Sequence, residues 1–273
     1  MNVVNGTGYH DSKPMPATRF AVDHLAVSVH PSRREAGVAS AREASAVIRA
    51  AIDRDGRAAV VFAAAPSHNE FLAELRADSA IDWRRVTAFH LDEYAGLPAS
   101  HPASFRRFLR ERLVDHVPLA AFHELAGDAP DLAAEASRYR RLLAEQPPAL
   151  VALGIGENGH LAFIDPGECD FDDPRDVRIV NLDDACRRQQ VHDGAFQRVE
   201  DVPRRALSLT IPLFLRIPRA VVTAPGAAKA RAVRDALEGP VDPRCPASIL
   251  RRHAGAALFL DEDSAALLKH GGV

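Results

Sequence analysis

Short apolar runs alternate with helix-like segments along most of this chain. The runs are predicted strands, and they lie at 24–29, 58–64, 85–90, 149–153, 177–181, 219–224 and 256–260. The segments between them repeat apolar residues every three or four positions, which predicts helices at 37–54, 69–77, 102–113, 131–145, 227–238 and 262–269. This alternation is typical of an α/β domain whose mostly parallel sheet carries helices on both faces.

The length of 273 residues is enough for one large α/β domain with a full core. We therefore predict a single Rossmann-like catalytic domain over 21–273, preceded by a flexible N-terminal tail over 1–20. The tail holds no apolar stretch of signal-peptide length, and no later run approaches the length of a membrane span. A cytoplasmic location is the prediction.

Charge and cysteine content limit the kinds of binding partner and the cellular compartment that we expect for this protein. The formal net charge of -3 shows no basic surplus, which argues against nucleic-acid and anionic-membrane partners. The three cysteines have no regular spacing and favour a reducing compartment over a disulfide framework. The alanine-rich helices could pack in the core or against another copy, so a homo-oligomer is left open.

The segment Gly154–Pro166 (GIGENGHLAFIDP) follows a predicted buried strand and combines a glycine-rich turn with a histidine and an acid. Open α/β sheets bind their ligands at the carboxyl ends of such strands. The spacing Gly154-x-Gly156-x-x-Gly159 also matches the dinucleotide-binding fingerprint, which requires a helix to open at the third glycine. Pro166 leaves that helix no room, so the pattern argues against a nicotinamide or flavin site.

A pair of acids lies at the end of another predicted strand. Asp92 and Glu93 directly follow the apolar run at 85–90. Neighbouring side chains of an extended backbone point in different directions, so one acid can face a pocket while the other anchors a neighbouring loop or helix. The alternative is that both acids face water before a turn.

Two long motifs together resemble a known family. They are Asp-Glu-Tyr-x-Gly-Leu-x-x-x-His-Pro-x-Ser-Phe at 92–105 and Gly-x-Gly-x-Asn-Gly-His-x-Ala-Phe-x-Asp-Pro at 154–166. Both are similar to the glucosamine-6-phosphate deaminase family, which shares a superfamily with the 6-phosphogluconolactonases. The likeness continues at 224–239 and 245–253, and the first motif favours the deaminase branch.

The resemblance implies an enzyme that converts glucosamine 6-phosphate to fructose 6-phosphate and ammonia without a metal or organic cofactor. It implies that His160 opens the sugar ring, since a histidine can take and give a proton near neutral pH. It implies that Asp92 removes the proton from carbon 2. Asn158 and Asp165 complete the expected catalytic set, and both depart from the family: an amide cannot accept a proton, and the aspartate is one methylene shorter than the usual glutamate.

The resemblance also implies a set of substrate-binding residues, which are Ala65, Pro66, Ser67, His68, Glu93, Gly156, Gly159, Arg188 and Lys229. The first four form the expected phosphate loop, in which proline replaces the family's glycine-rich turn. Lys229 matches the family's phosphate-binding lysine. The matching arginine falls in 183–200, where Arg187 and Arg188 are the candidates, and the loop at 165–176 is either a lid or a plain surface loop.

Two rivals to the deaminase remain open from the sequence. Hydrolysis of 6-phosphogluconolactone would use His160 as a general base and has little need of Asp92. A sugar-phosphate-binding protein without turnover is suggested by the altered phosphate loop and by Asn158.

Overall fold

A mostly parallel sheet of eight strands runs through the molecule, a computed structural model that describes residues 17–269. Its strands are β1 Thr18–Val22, β2 Leu25–His30, β3 Ala58–Phe62, β4 Val86–His90, β6 Ala121–His123, β7 Leu150–Leu153, β10 Arg219–Thr223 and β11 Ala256–Asp261. A second sheet is formed by β5 Asp92–Tyr94, β8 Val177–Asn181 and β9 Arg205–Leu209. The helices are α1 Arg33–Asp55, α2 Asn69–Ala77, α3 Phe105–Arg112, α4 Leu132–Glu145, α5 Asp184–His192, α6 Ile211–Arg216, α7 Ala230–Glu238 and α8 Glu262–Ala265.

The large sheet has the strand order β1-β2-β11-β10-β7-β3-β4-β6, and every pair except β1–β2 is parallel. Its central strands are apolar on both faces. In β3, Val60 and Phe62 pack into one apolar cluster with α1 and α2, while Ala59 and Val61 pack into the other. Burial on both faces explains the continuous apolar runs of the sequence. The predicted α/β class, with helices on both faces of a mostly parallel sheet, is confirmed.

The second sheet is antiparallel, with the order β5-β9-β8. The strand predicted at 177–181 is present, but it belongs to this small sheet. Strands β5 and β9 were not predicted from the sequence. The first has only three residues and the second begins with an exposed arginine, so neither shows a clear apolar pattern. Asp92 lies opposite Ser208 in the register of β5 and β9.

The N-terminal boundary predicted from the sequence needs a correction. Residues 18–20, assigned to the flexible tail, belong to β1, which pairs with β2 across the turn at Asp23. The turn places a non-glycine residue at a φ of 51°, an uncommon conformation that hides the hairpin from a sequence pattern. Residues 1–16 of the predicted tail lie outside the described residues.

Helix α1 shows where the alanine-rich segments pack. It begins after Ser32, whose side chain accepts a hydrogen bond from the Glu35 amide, and it ends at Gly56 in the left-handed region. Ala41, Ala44 and Ile48 are buried in the apolar cluster between the helix and the sheet. This face of α1 therefore belongs to the core of the chain. Within residues 17–269, no helix is long and apolar enough to cross a membrane.

Candidate active site

A cavity of about 410 Å³ opens at the carboxyl ends of the parallel strands. It is lined by the loops that follow β3, β7 and β10, and by the chain that leaves β4. Asp92 and His160, which lie far apart in the sequence, both line this one cavity. The cavity lies at the edge of the sheet where the general rule for open α/β sheets predicts a ligand site.

Asp92 is a buried carboxyl at the wall of the cavity. Its side chain is on β5, and only 6% of the residue is exposed. Burial raises the pKa of Asp92 well above its usual range, and the neighbouring charge of Glu93 raises it further. A carboxylate in this setting is a stronger proton acceptor than an aspartate in water.

Glu93 has a structural task instead. Its carboxylate accepts hydrogen bonds from the Ser104 hydroxyl at 2.7 Å and from the backbone amides of Phe105 and Arg106. The Arg106 guanidinium lies 3.2 Å away, and both side chains are almost fully buried. Glu93 is not among the residues that line the cavity. One acid of the pair faces the pocket and the other anchors α3, which turns the Glu93 carboxylate away from the cavity where its substrate contact was predicted.

The His160 ring lies flat against the glycine-rich turn. A Cβ atom added at Gly156 would lie 2.3 Å from the Nε2 atom of His160, so only glycine fits beneath the ring. Gly159 has a φ of +86°, which other residues rarely adopt. The chain continues through turns after Gly159, and the next helix is α5. The dinucleotide-binding alternative is therefore excluded, and the tight turn serves to place the histidine.

Asp165 stands behind His160, out of contact with solvent. Its Oδ1 atom lies 3.2 Å from the Nδ1 atom of His160, although the angle falls outside hydrogen-bond geometry. Asn158 Nδ2 donates to the same oxygen at 3.0 Å, and the Asp183 amide donates to Oδ2 at 3.1 Å. Burial alone would raise the pKa of Asp165, but His160 and these donors outweigh it and the pKa is lowered. Asp165 thus lies next to the His160 ring although its side chain is one methylene shorter than the glutamate usual in the family.

Asn158 lies between two carboxylates and the histidine loop. Besides its contact with Asp165, its amide nitrogen lies 3.3 Å from Asp183 Oδ2, and its oxygen accepts a hydrogen bond from the His160 backbone amide at 3.1 Å. Asn158 and Asp165 are both absent from the cavity lining. The two residues hold His160 in place and stay clear of the cavity.

The predicted phosphate loop, residues 65–68, lines the cavity and leads into α2. The His68 ring is buried, and burial lowers its pKa to about 4, so it is neutral near pH 7. Its Nε2 atom lies 3.1 Å from the Leu153 carbonyl, to which it must donate, and its Nδ1 atom lies 3.3 Å from the Ser67 hydroxyl. His68 therefore contributes no positive charge to the predicted phosphate loop.

Lys229 brings a positive charge to the opposite loop. It lines the cavity at the end of the turn before α7 and is 8% exposed. Burial lowers its pKa, and Asp193 and Glu157 act in the opposite direction from a distance. Among the described residues its ammonium group has no hydrogen bond or ion pair of its own. A desolvated cation of this kind is suited to bind an anion.

Two predicted binding residues are placed elsewhere. Arg188 is exposed on α5 and does not line the cavity, because the helix turns that side toward solvent. The alternative candidate, Arg187, is buried and donates to the Val199 and Val202 carbonyls. Gly159 packs against Cys245, whose sulfur would lie 2.9 Å from an added Cβ atom, and it is not part of the lining.

Two arginines that the sequence analysis did not select do line the cavity. Arg33, at the first position of α1, pairs with Glu70 and donates to the Pro66 carbonyl of the predicted phosphate loop. Arg112, at the last position of α3, donates to Asn69 Oδ1 at 2.8 Å. Both lie on helical termini without a motif, so only the fold reveals their position.

The C-terminal end of α5 also lines the cavity, through Gln189 and Gln190 of the helix and Asp193 directly after it. Tyr94 donates a hydrogen bond to Gln190 Oε1 at 2.5 Å, and the Glu157 amide donates to Gln189 Oε1 at 2.7 Å. By contrast, no residue of the loop at 165–176 is in the lining. That loop is held by Arg178, which pairs with Glu168 and Asp173, and is a surface loop.

Comparison with known proteins decides the family. The sequence profile of the glucosamine-6-phosphate isomerases/6-phosphogluconolactonase family matches residues 31–259. The chain belongs to this family. A glucosamine-6-phosphate deaminase of Bacillus cereus (strain G9842) is 37% identical over 195 residues, which cover 71% of this chain and 72% of the relative. A deaminase of Exiguobacterium sibiricum is 38% identical over 190 residues, 69% of this chain and 73% of the relative.

Solved structures of the same family share the architecture. A monomeric glucosamine-6-phosphate deaminase superposes with a TM-score of 0.81 at 28% identity and covers 88% of this chain and 99% of its own. The 6-phosphogluconolactonase of Trypanosoma brucei superposes with a TM-score of 0.72 at 21% identity, covering 88% and 97% of the two chains. The lactonase shares its fold with this chain.

Proposed function

We propose that this protein converts glucosamine 6-phosphate to fructose 6-phosphate and ammonia. One observation carries the proposal: a buried carboxyl, Asp92, and a histidine, His160, line the same cavity together with Lys229, which has no ion-pair partner within residues 17–269. The deaminase relatives of similar sequence support the choice of reaction. The substrate is a small anionic sugar, and the cavity of about 410 Å³ has room for one.

Ring opening is the step assigned to His160. The imidazole takes the proton of the anomeric hydroxyl and returns a proton to the ring oxygen, so one group must act as both base and acid. Asp165, 3.2 Å from Nδ1, stabilises the charged imidazole while the proton resides on it. Asn158 accepts a hydrogen bond from the His160 amide and fixes the start of the loop.

Proton transfer between two carbons is the step assigned to Asp92. The carboxylate removes the proton from carbon 2 of the open sugar and delivers it to carbon 1. The nitrogen on carbon 2 becomes an imine as one of its protons passes to the oxygen on carbon 1, and water hydrolyses the imine to the ketose and ammonia. The burial that raises the pKa of Asp92 strengthens it as a base for this weakly acidic carbon.

The phosphate site is assigned to the region between α2 and α7. Ser67 supplies a hydroxyl, and α2 directs its N-terminus toward the cavity edge. Lys229 supplies one positive charge and Arg33 supplies a second, in place of the arginine that was predicted on α5. The positive charge of Arg33 lowers the pKa of both His68 and Lys229, which places it near both side chains.

Arg33→Gln tests the second cation. We expect KM for glucosamine 6-phosphate to rise roughly tenfold with little change in kcat, since a partly exposed charged hydrogen bond to the phosphate is lost and the reacting carbons are untouched. Steady-state ammonia release measures both constants. Arg34→Gln is the matched control, because Arg34 is the next residue of the same helix and is exposed away from the cavity. Equal KM values for the two variants would remove Arg33 from the phosphate site.

Lys229 gives phosphate binding a dependence on pH. Burial lowers the pKa of Lys229, so the free protein loses this charge at a lower pH than an ordinary lysine would. We expect competitive inhibition by inorganic phosphate to weaken as the pH rises from about 8 to about 10, a range below and around the usual lysine value. Lys229→Arg keeps its charge and should hold the inhibition constant level over that range. A level wild-type profile would contradict the assignment.

Incubation of the purified protein with glucosamine 6-phosphate, followed by measurement of ammonia and fructose 6-phosphate in equal amounts, tests the function as a whole. Tight binding of the sugar phosphate without ammonia would favour the binding protein. Hydrolysis of 6-phosphogluconolactone without ammonia release would favour the lactonase. A panel of amino sugar phosphates of gluco and galacto configuration then defines the specificity.

A further inference from the structure

Cys186 is a buried group that the proposed reaction does not use. It lies on α5, is 1% exposed, and is one of three cysteines in the chain, all of them free thiols. Its sulfur, a carboxylate oxygen of Asp165 and an imidazole nitrogen of His160 all lie within 4.8 Å of one another. All three residues are buried. Nitrogen, oxygen and sulfur ligands at this separation are the donor types that bind Zn²⁺.

The free nitrogen of His160 supports the same site independently. The Nδ1 atom is buried and has no hydrogen-bond partner in the part of the chain that the structure describes, and 9% of the His160 side chain is exposed. Its distance to Asp165 Oδ1 is 3.2 Å, yet the angle does not suit a hydrogen bond. In a tetrahedral zinc site with bonds of about 2.0–2.2 Å, nitrogen and oxygen ligands lie roughly 3.3 Å apart. The pair is thus spaced like two ligands of one ion.

We infer that His160, Asp165 and Cys186 form an inhibitory site for a thiophilic divalent cation such as Zn²⁺. The ion reaches it through the cavity, which His160 lines. As the metal–sulfur bond forms, the Cys186 thiol releases its proton to water, and the imidazole binds the ion through the lone pair of its neutral ring. No electron transfer is involved.

Occupation of this site removes two groups from the proposed reaction. The imidazole can no longer exchange the ring-opening proton freely, and Asp165 is committed to the metal. The ion is therefore an inhibitor and not a cofactor. This consequence rests on the proposed function, whereas binding of the ion does not.

Cobalt spectroscopy of the full chain tests binding without relying on activity. A protein with Cys169→Ser and Cys245→Ser keeps Cys186 as its single thiol. After removal of metals with a chelator, titration with Co²⁺ should produce a near-ultraviolet thiolate-to-cobalt charge-transfer band that saturates at one ion per chain, and Zn²⁺ should displace it. Absence of the band in this variant and in the wild type overturns the proposal.

Inhibition is tested with ZnCl₂ in the ammonia assay. Zn²⁺ should inhibit the wild type, and Cys186→Ser should require at least tenfold more Zn²⁺ for half inhibition while keeping its activity without metal. Cys245→Ser is the matched control. The Cys245 thiol lies against Gly159, which precedes His160 in the same loop, but it is not one of the three proposed ligands. Equal sensitivity of Cys186→Ser and the wild type overturns the assignment. If Cys186→Ser does not fold, the double variant decides, because its band can arise from Cys186 alone.

Discussion

Asp92→Asn is expected to lower kcat/KM for ammonia release by about 10³-fold, within the range of roughly 10²–10⁴ that a positioned acid or base supplies. The amide has the shape of the carboxyl group but cannot accept the proton of carbon 2. Ammonia release from glucosamine 6-phosphate measures the loss. Hydrolysis of 6-phosphogluconolactone, if the protein has that activity, should persist in the same variant, because water attack on a lactone needs no carbon base.

The same substitution should leave the fold at least as stable as before. Burial and the charge of Glu93 raise the pKa of Asp92, so above the ordinary aspartate range the ionised group costs the folded protein free energy. An uncharged asparagine avoids that cost, and urea unfolding at neutral pH should give an unchanged or larger free energy. Asp53→Asn, an exposed acid on α1, is the control and should change neither quantity. Near-full activity of Asp92→Asn would end the deaminase proposal.

His160→Gln is expected to lower the rate by about 10²–10⁴-fold through loss of the ring-opening acid and base. The remaining steps still have Asp92, so the variant can turn over the small fraction of substrate that opens spontaneously. Its rate should then stop increasing as more enzyme is added, because uncatalysed ring opening limits the supply.

Progress curves at several enzyme concentrations reveal this plateau. His24 is exposed and lies far from His160 in the sequence, so the control variant His24→Gln should behave as the wild type. A His160→Gln variant whose low rate stays proportional to enzyme concentration would show that His160 acts at a different step.

The sequence predicted the parallel sheet well because its central strands are apolar on both faces. Runs such as β3, which is buried at every position and is followed by a helical segment, are typical of strands in a parallel sheet that is covered on both faces. It also placed Asp92 and His160 in one cavity, since each follows a strand whose carboxyl end reaches the same edge of the sheet.

The rest depends on long-range contacts that a pattern does not contain. The small sheet is formed by short strands far apart in sequence, and its existence follows only from their pairing. Arg33 and Arg112 reach the cavity because of where α1 begins and α3 ends. Arg188 lies on the exposed face of α5, away from the cavity. Which face of a helix is exposed depends on the elements packed against it, and these contacts could not be predicted from the sequence.

A single serine on β9 links the two halves of the proposed reaction. Ser208 lies opposite Asp92 in the small sheet, and its hydroxyl oxygen accepts a hydrogen bond from the Phe163 amide, three residues after His160, at 3.2 Å. The same hydroxyl donates to the Leu209 carbonyl at 2.9 Å. A substitution that shifts β9 is therefore expected to move Asp92 and His160 together. Redesign of this pocket for a different sugar has to treat the positions of the two side chains as coupled, because neither can be optimised alone.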